Sequence, residues 1–85
     1  VRRRIRSIAC AAPGVLQVHE IRTRYIGTSI QTDLHVIVDG GLTVREGHDI
    51  ARDVEARLIH EIEEVVDVVV HVEPPEEALP EEGRR

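Results

Sequence analysis

Phenylalanine, tryptophan and methionine are absent from this chain, and Tyr25 is its only tyrosine. The apolar side chains are therefore Val, Ile, Leu and Ala, which bury limited area per residue. At 85 residues the chain makes one small domain, near the size at which a single core is only marginally stable. Self-association is a natural way to add stability, so a dimer is the expected state. The one cysteine, Cys10, excludes an internal disulfide and fits a reducing compartment. Flanked by Ile8, Ala9, Ala11 and Ala12, it is expected to be a buried or half-buried small side chain. No apolar run approaches the roughly 20 residues of a membrane span, and no signal peptide is visible. The expectation is a soluble stretch that does not itself insert into a membrane, which is compatible with its being a soluble piece of a membrane protein. A cationic excess is lacking too: the formal charge is −5 and the pI about 5.5, which argues against nucleic acid as the partner. There is no nucleophile elbow, phosphate-cradling glycine loop or HExxH helix. Ser7 and Ser29 have no base at a recognisable spacing, so the chain is not expected to be an enzyme.

What is present reads as α-β-β-α-β. Val1, Ile5, Ile8, Ala9 and Ala12 recur at helical spacing, with Arg2, Arg3, Arg4 and Arg6 mostly on the other face. Pro13-Gly14 stops that helix. Arginines at a helix N-terminus oppose the macrodipole, which suggests that the chain once continued upstream. Val15 to Ile26 is rich in β-branched residues, and its imperfect alternation from Val18 to Ile21 predicts a bulge. Gly27-Thr28-Ser29 makes a hairpin connection. Ile30, Thr32, Leu34, Val36 and Val38 then share one strand face, opposite Gln31, Asp33, His35, Ile37 and Asp39. Thr43-Val44-Arg45-Glu46 is a capping box opening a helix to about Glu61, with Val44, Ala51, Val54, Leu58 and Ile62 as its buried stripe. Val65 to Glu73 is the last strand, Val66, Val68, Val70 and Val72 facing opposite to Asp67, Val69, His71 and Glu73. Two amphipathic helices over one face of a three-stranded sheet give an α+β open-faced sandwich of the ferredoxin-like, metallochaperone-like type. Residues 1–74 form the domain; 75–85, rich in Pro and Glu, are expected to be a disordered acidic tail.

The five histidines carry the functional signal. His19 and His35 fall in two predicted strands, His71 falls in a third with Glu73 two residues on, and His48 opens the long helix. If the apolar faces lie under the helices, Asp33, His35, His71 and Glu73 share the opposite sheet face. Residues i and i+2 of a strand lie roughly 7 Å apart on one face, close enough to share a metal. Imidazole with carboxylate suits Zn²⁺, Fe²⁺, Mn²⁺, Co²⁺ or Ni²⁺, and the lack of paired thiolates argues against Cu(I) and iron–sulfur clusters. Spacing alone leaves two readings open, a divalent-metal site and a solvated polar face. His48 reads equally as a ligand or as a half-buried packing residue. His60, in the last turn of the helix, suits the dipole and is given no site.

The ordered series Pro13-Gly14-Val15, Val18-His19-Glu20-Ile21-Arg22-Thr23-Arg24, Gly27, Asp33-Leu34-His35-Val36-Ile37-Val38-Asp39, Leu42 to Ala51, and Val68-Val69-Val70-His71-Val72-Glu73-Pro74 resembles the cytoplasmic C-terminal domain of cation diffusion facilitator transporters. The resemblance runs over about residues 1–74. It implies a domain that homodimerises at the cytoplasmic face of a membrane, beneath the transmembrane domain of the same metal exporter. The Arg-rich start would then abut the last membrane helix on its positive side. Position by position, His19, His35, His71 and Glu73 match places where the family binds regulatory metal near the dimer interface, Glu73 replacing a common aspartate. His48 matches a histidine used by some members, and Asp33 an aspartate used in the magnetosome-associated branch. Arg24-Tyr25-Ile26-Gly27 also resembles that branch, but Gln31 stands where it has an aromatic ligand. The implied function is metal-dependent tightening of the dimer to activate divalent-cation efflux, with zinc the tightest binder expected in vitro. The alternatives are a dimerisation or protein-interaction platform without regulatory metal, and a free-standing metallochaperone.

Overall fold

Helix α1 spans Arg2–Cys10 and buries Ile5 and Ala9, with Ala12 buried just beyond it. The computed structural model that shows this describes residues 1–75; from residue 76 onward, the tail expected for 75–85 lies outside the described residues. The helix has no side-chain N-cap and no acidic residue in its first turn, so its anchorage comes from packing and from two of its arginines. Arg4 donates to the Glu61 carbonyl at 2.8 Å, which satisfies one of the orphan acceptors at the end of the second helix. Arg6 donates to the Val18 carbonyl. The chain then turns at Gly14, whose φ of 91° is hard for an L side chain and whose absent Cβ would meet Ile50 Cδ1 at 2.6 Å. Cys10 proves exposed, contrary to expectation, because Ala9 and Ala12 take the inward positions around it.

Strands β1 (Gln17–Ile26) and β2 (Ser29–Ile37) pair antiparallel. They are joined by the two-residue turn Gly27-Thr28. Gly27 has φ 63° while Thr28 is not among the positive-φ residues, the pattern of a type II′ hairpin with glycine first. Helix α2 (Val44–Glu61) carries the expected capping box: Thr43 accepts from the Glu46 amide at 3.0 Å and the Glu46 carboxylate accepts from the Thr43 amide at 2.8 Å. Strand β3 (Val65–Glu73) then lies parallel to β2, in sheet order β1-β2-β3; a parallel neighbour requires a long crossover, made here by α2.

Both helices pack on one sheet face, around Ile5, Ala9, Val18, Leu34, Val36, Val54, Leu58 and neighbouring apolar residues. Two residues depart from the expected stripes. Val44 is 91% exposed: as the first helical residue it precedes the turn that meets the sheet, and Gly47 takes the first inward position. Val66 is exposed and Val65 buried, because the β2–β3 register skips from Ile30↔Val65 to Gln31↔Asp67. That extra residue reverses the side-chain parity at the start of β3.

Candidate metal centre

On the sheet face away from the helices, His19 pairs with His35 across β1–β2 and His35 pairs with His71 across β2–β3. One row of the sheet therefore carries three imidazoles. The His19 and His35 ring centroids are 5.5 Å apart, and the His35 and His71 rings are stacked at 4.7 Å. Glu73, two residues beyond His71, sits beside Ile37 on β2 and reaches back to the row. Its Oε2 contacts His35 Nδ1, and its Oε1 lies 3.6 Å from His19 Nε2.

One donor atom each from His19, His35 and Glu73 lies within 4.8 Å of the other two. Ligands around a tetrahedral zinc, at bond lengths near 2.0–2.2 Å, are ~3.4 Å apart, so rotamer-scale adjustment would converge these three. All three residues are half-buried. His19 Nε2 is fully covered yet has no hydrogen-bond partner, a condition that buried polar nitrogens rarely tolerate unless something else binds them. The donor set, two imidazole nitrogens and a carboxylate oxygen, fits a borderline divalent cation.

The other candidates are placed differently. His71 shares the face but turns its Nε2 towards Asp33 Oδ2, 3.9 Å away, forming a pair beside the three-atom group. His48 is exposed on α2. It lines a cavity of about 460 Å³ with Val38, Leu42, Val72 and the edge of Glu73, and stands outside the group. Nothing in the sequence pattern marks Glu20 as a site residue. The β1–β2 register shifts between His19 and Arg22, at the bulge predicted there, and Glu20 has φ 54°. The bulge brings its carboxylate onto the histidine face: Oε1 is 3.3 Å from His35 Nε2 and Oε2 is 3.9 Å from His19 Nδ1. The irregular alternation of Val18–Ile21 signals the bulge alone.

A family model described as "Cation efflux protein, cytoplasmic domain" matches residues 1–75. The chain belongs to this family. A probable cation efflux system protein of Mycobacterium tuberculosis is 34% identical over 76 residues, covering 87% of this chain and 23% of that protein. The manganese efflux system protein MneS of Bacillus subtilis is 37% identical over 65 residues, covering 75% of this chain and 22% of that protein. The chain thus spans about a quarter of the length of the curated relatives it matches. Among solved structures, a variant of the MamM CTD superposes with a TM-score of 0.84 at 34% identity, covering 86% of this chain and 91% of that one. A nickel form of another MamM CTD variant superposes equally well at 32% identity. The α+β sandwich read from the sequence is the fold of these domains. The family is one of efflux proteins and not a class of enzymes. Among the described residues no helix is long and apolar enough to cross a membrane.

Proposed function

We propose that this chain is the cytoplasmic regulatory domain of a divalent-cation efflux transporter, which homodimerises and uses bound metal to tighten the dimer. The observation that carries the metal reading is the convergence of His19, His35 and Glu73 donor atoms within 4.8 Å around a buried nitrogen without a partner. The nickel form of a structural neighbour and the manganese efflux of a sequence relative support divalent cations as the class. A divalent cation bound there supplies positive charge at a face that otherwise gathers three carboxylates. Three protein donors leave room for a fourth, from water or from the partner subunit. Asp33 and His71, alongside the group, are the neighbouring side chains able to join it.

This chain's own residues do the rest. Strand pairing fixes the spacing of the imidazoles, so the site is built on rigid elements. The carboxylates of Glu20, Asp33 and Glu73 repel their counterparts when two such faces approach, and metal would relieve that repulsion. In linkage terms the cation must bind the closed dimer more tightly than the open one. Isothermal titration of the metal-stripped domain with Zn²⁺ and Mn²⁺, beside a His35→Ala/His71→Ala double variant, tests the reading. Saturable binding is expected in the parent and lost in the variant. Binding that the variant retains would leave a dimerisation platform.

A further inference from the structure

Glu20 does not belong to the convergent group, yet it faces both of its histidines. His35 Nδ1 shares a hydrogen bond with Glu73, and its Nε2 faces Glu20 at 3.3 Å. His19 presents Nε2 to Glu73 at 3.6 Å and Nδ1 to Glu20 at 3.9 Å. Each imidazole is therefore bracketed by the same two carboxylates, with opposite nitrogens turned to each. The nitrogens on the Glu20 side form no second centre: among the described residues, only His19, His35 and Glu73 bring three donor atoms together.

We infer that Glu20 is a positioning residue for the metal-bound centre. A cation on the Glu73 side would displace the proton that His35 Nδ1 shares with Glu73, leaving the N–H on His35 Nε2 and His19 Nδ1. The Glu20 carboxylate faces both of these, so that His35 Nδ1 and His19 Nε2 offer lone pairs to the cation. This rests on the metal reading above. A neutral imidazole has one N–H and one lone pair, and only the lone pair can bind a cation. The two rings enter the row with opposite orientation, so they must adopt opposite tautomers to face one point. A single carboxylate with two oxygens, acceptor-only when ionised, meets both requirements from one side. Outer carboxylates of this kind fix the tautomer and orientation of ligating histidines. The backbone is bent to make this possible. Glu20 is the only non-glycine residue with positive φ among those described, a conformation uncommon for glutamate. Strain of this sort persists where the surrounding structure enforces it and clusters at functional sites.

Because glycine suits the local φ, Glu20→Gly separates function from folding, and Glu20→Asp restores a carboxylate in a residue that tolerates positive φ. The experiment combines Zn²⁺ titration, metal-free urea unfolding, and ¹⁵N–¹¹³Cd coupling on the imidazoles of the cadmium-loaded protein. Expected are coupling through His35 Nδ1 and His19 Nε2 in the parent, and a loss of about 10- to 100-fold in Zn²⁺ affinity for Glu20→Gly. The metal-free unfolding midpoint of that variant should not fall, and Glu20→Asp should recover part of the affinity. A Glu20→Gly variant that binds Zn²⁺ like the parent, or cadmium bound through the Glu20-side nitrogens, overturns the inference. So does an affinity loss matched by lower metal-free stability and not recovered by Glu20→Asp. Failure of the metal reading looks different: the parent would not bind, or a His35→Ala control would bind as well as the parent.

Discussion

His19, His35 and Glu73 each present a donor atom to a common point, whereas His71 turns to Asp33 and His48 stands exposed on α2. Residues of one type should therefore matter unequally. Removing a direct ligand costs more than the roughly 10- to 100-fold typical of an outer partner. His19→Ala, His35→Ala and Glu73→Ala should each lower Zn²⁺ affinity by more than about a hundredfold, measured by competition with a chromophoric chelator. His48→Ala should change it little, and His71→Ala should fall between, through its stack on His35. Equal losses at all four histidines would show that the binding geometry is not the one grouped in the metal-free fold. Protons compete for the same lone pairs, so metal binding should release protons and apparent affinity should fall on acidification. Titration in buffers of different ionisation enthalpy counts those protons.

At the scale of elements, two bulges and one helix register decide which side chains reach which face. The α2 stripe that packs on the sheet is Gly47, Val54 and Leu58, with Ile50 and Ala51 partly covered; Val44 lies outside it. Leu58 is fully buried, so Leu58→Ala should cost about 2–5 kcal/mol. Val44→Ser should stay within about 0.5 kcal/mol of the parent, as surface substitutions do. Urea unfolding of the metal-free domain reads both, and a destabilising Val44→Ser would restore the stripe that the helical spacing suggests. Period-two alternation made β2 legible, because Ile30, Thr32, Leu34, Val36 and Val38 all face the core. It also placed His35, His71 and Glu73 on one face. Thr43 and Glu46 announced the start of α2 through a local motif that needs no tertiary context. Glu20, Val65 and Val66 were not legible, since a bulge reverses parity at a residue that only the pairing register fixes. Arg4 and Arg6 were hidden for another reason. Their partners are backbone carbonyls far along the chain, and charge patterning carries no information about these.

Across the whole molecule, charge sets the terms on which two copies can approach. Each chain carries a formal −5, so a dimer carries −10, twice that value, and the histidine face contributes Glu20, Asp33 and Glu73. If repulsion between such faces holds metal-free subunits apart, salt should act in the same direction as metal. Raising ionic strength from about 0.01 M to about 1 M shortens the screening length from about 30 Å to about 3 Å. Spin labels on Val44, exposed and outside the core, can report the distance between subunits. The expected result is a broad metal-free distribution at low salt that shortens and narrows with Zn²⁺, with a smaller metal-induced change at high salt. The His35→Ala/His71→Ala variant should respond to salt and not to Zn²⁺, since it keeps the carboxylates but loses ligands. A distribution that saturating metal leaves unchanged at every salt concentration would remove the switch while leaving the binding site intact. A parent that tightens with Zn²⁺ equally at both salt concentrations would assign the tightening to ligands bridging the subunits instead of relieved repulsion.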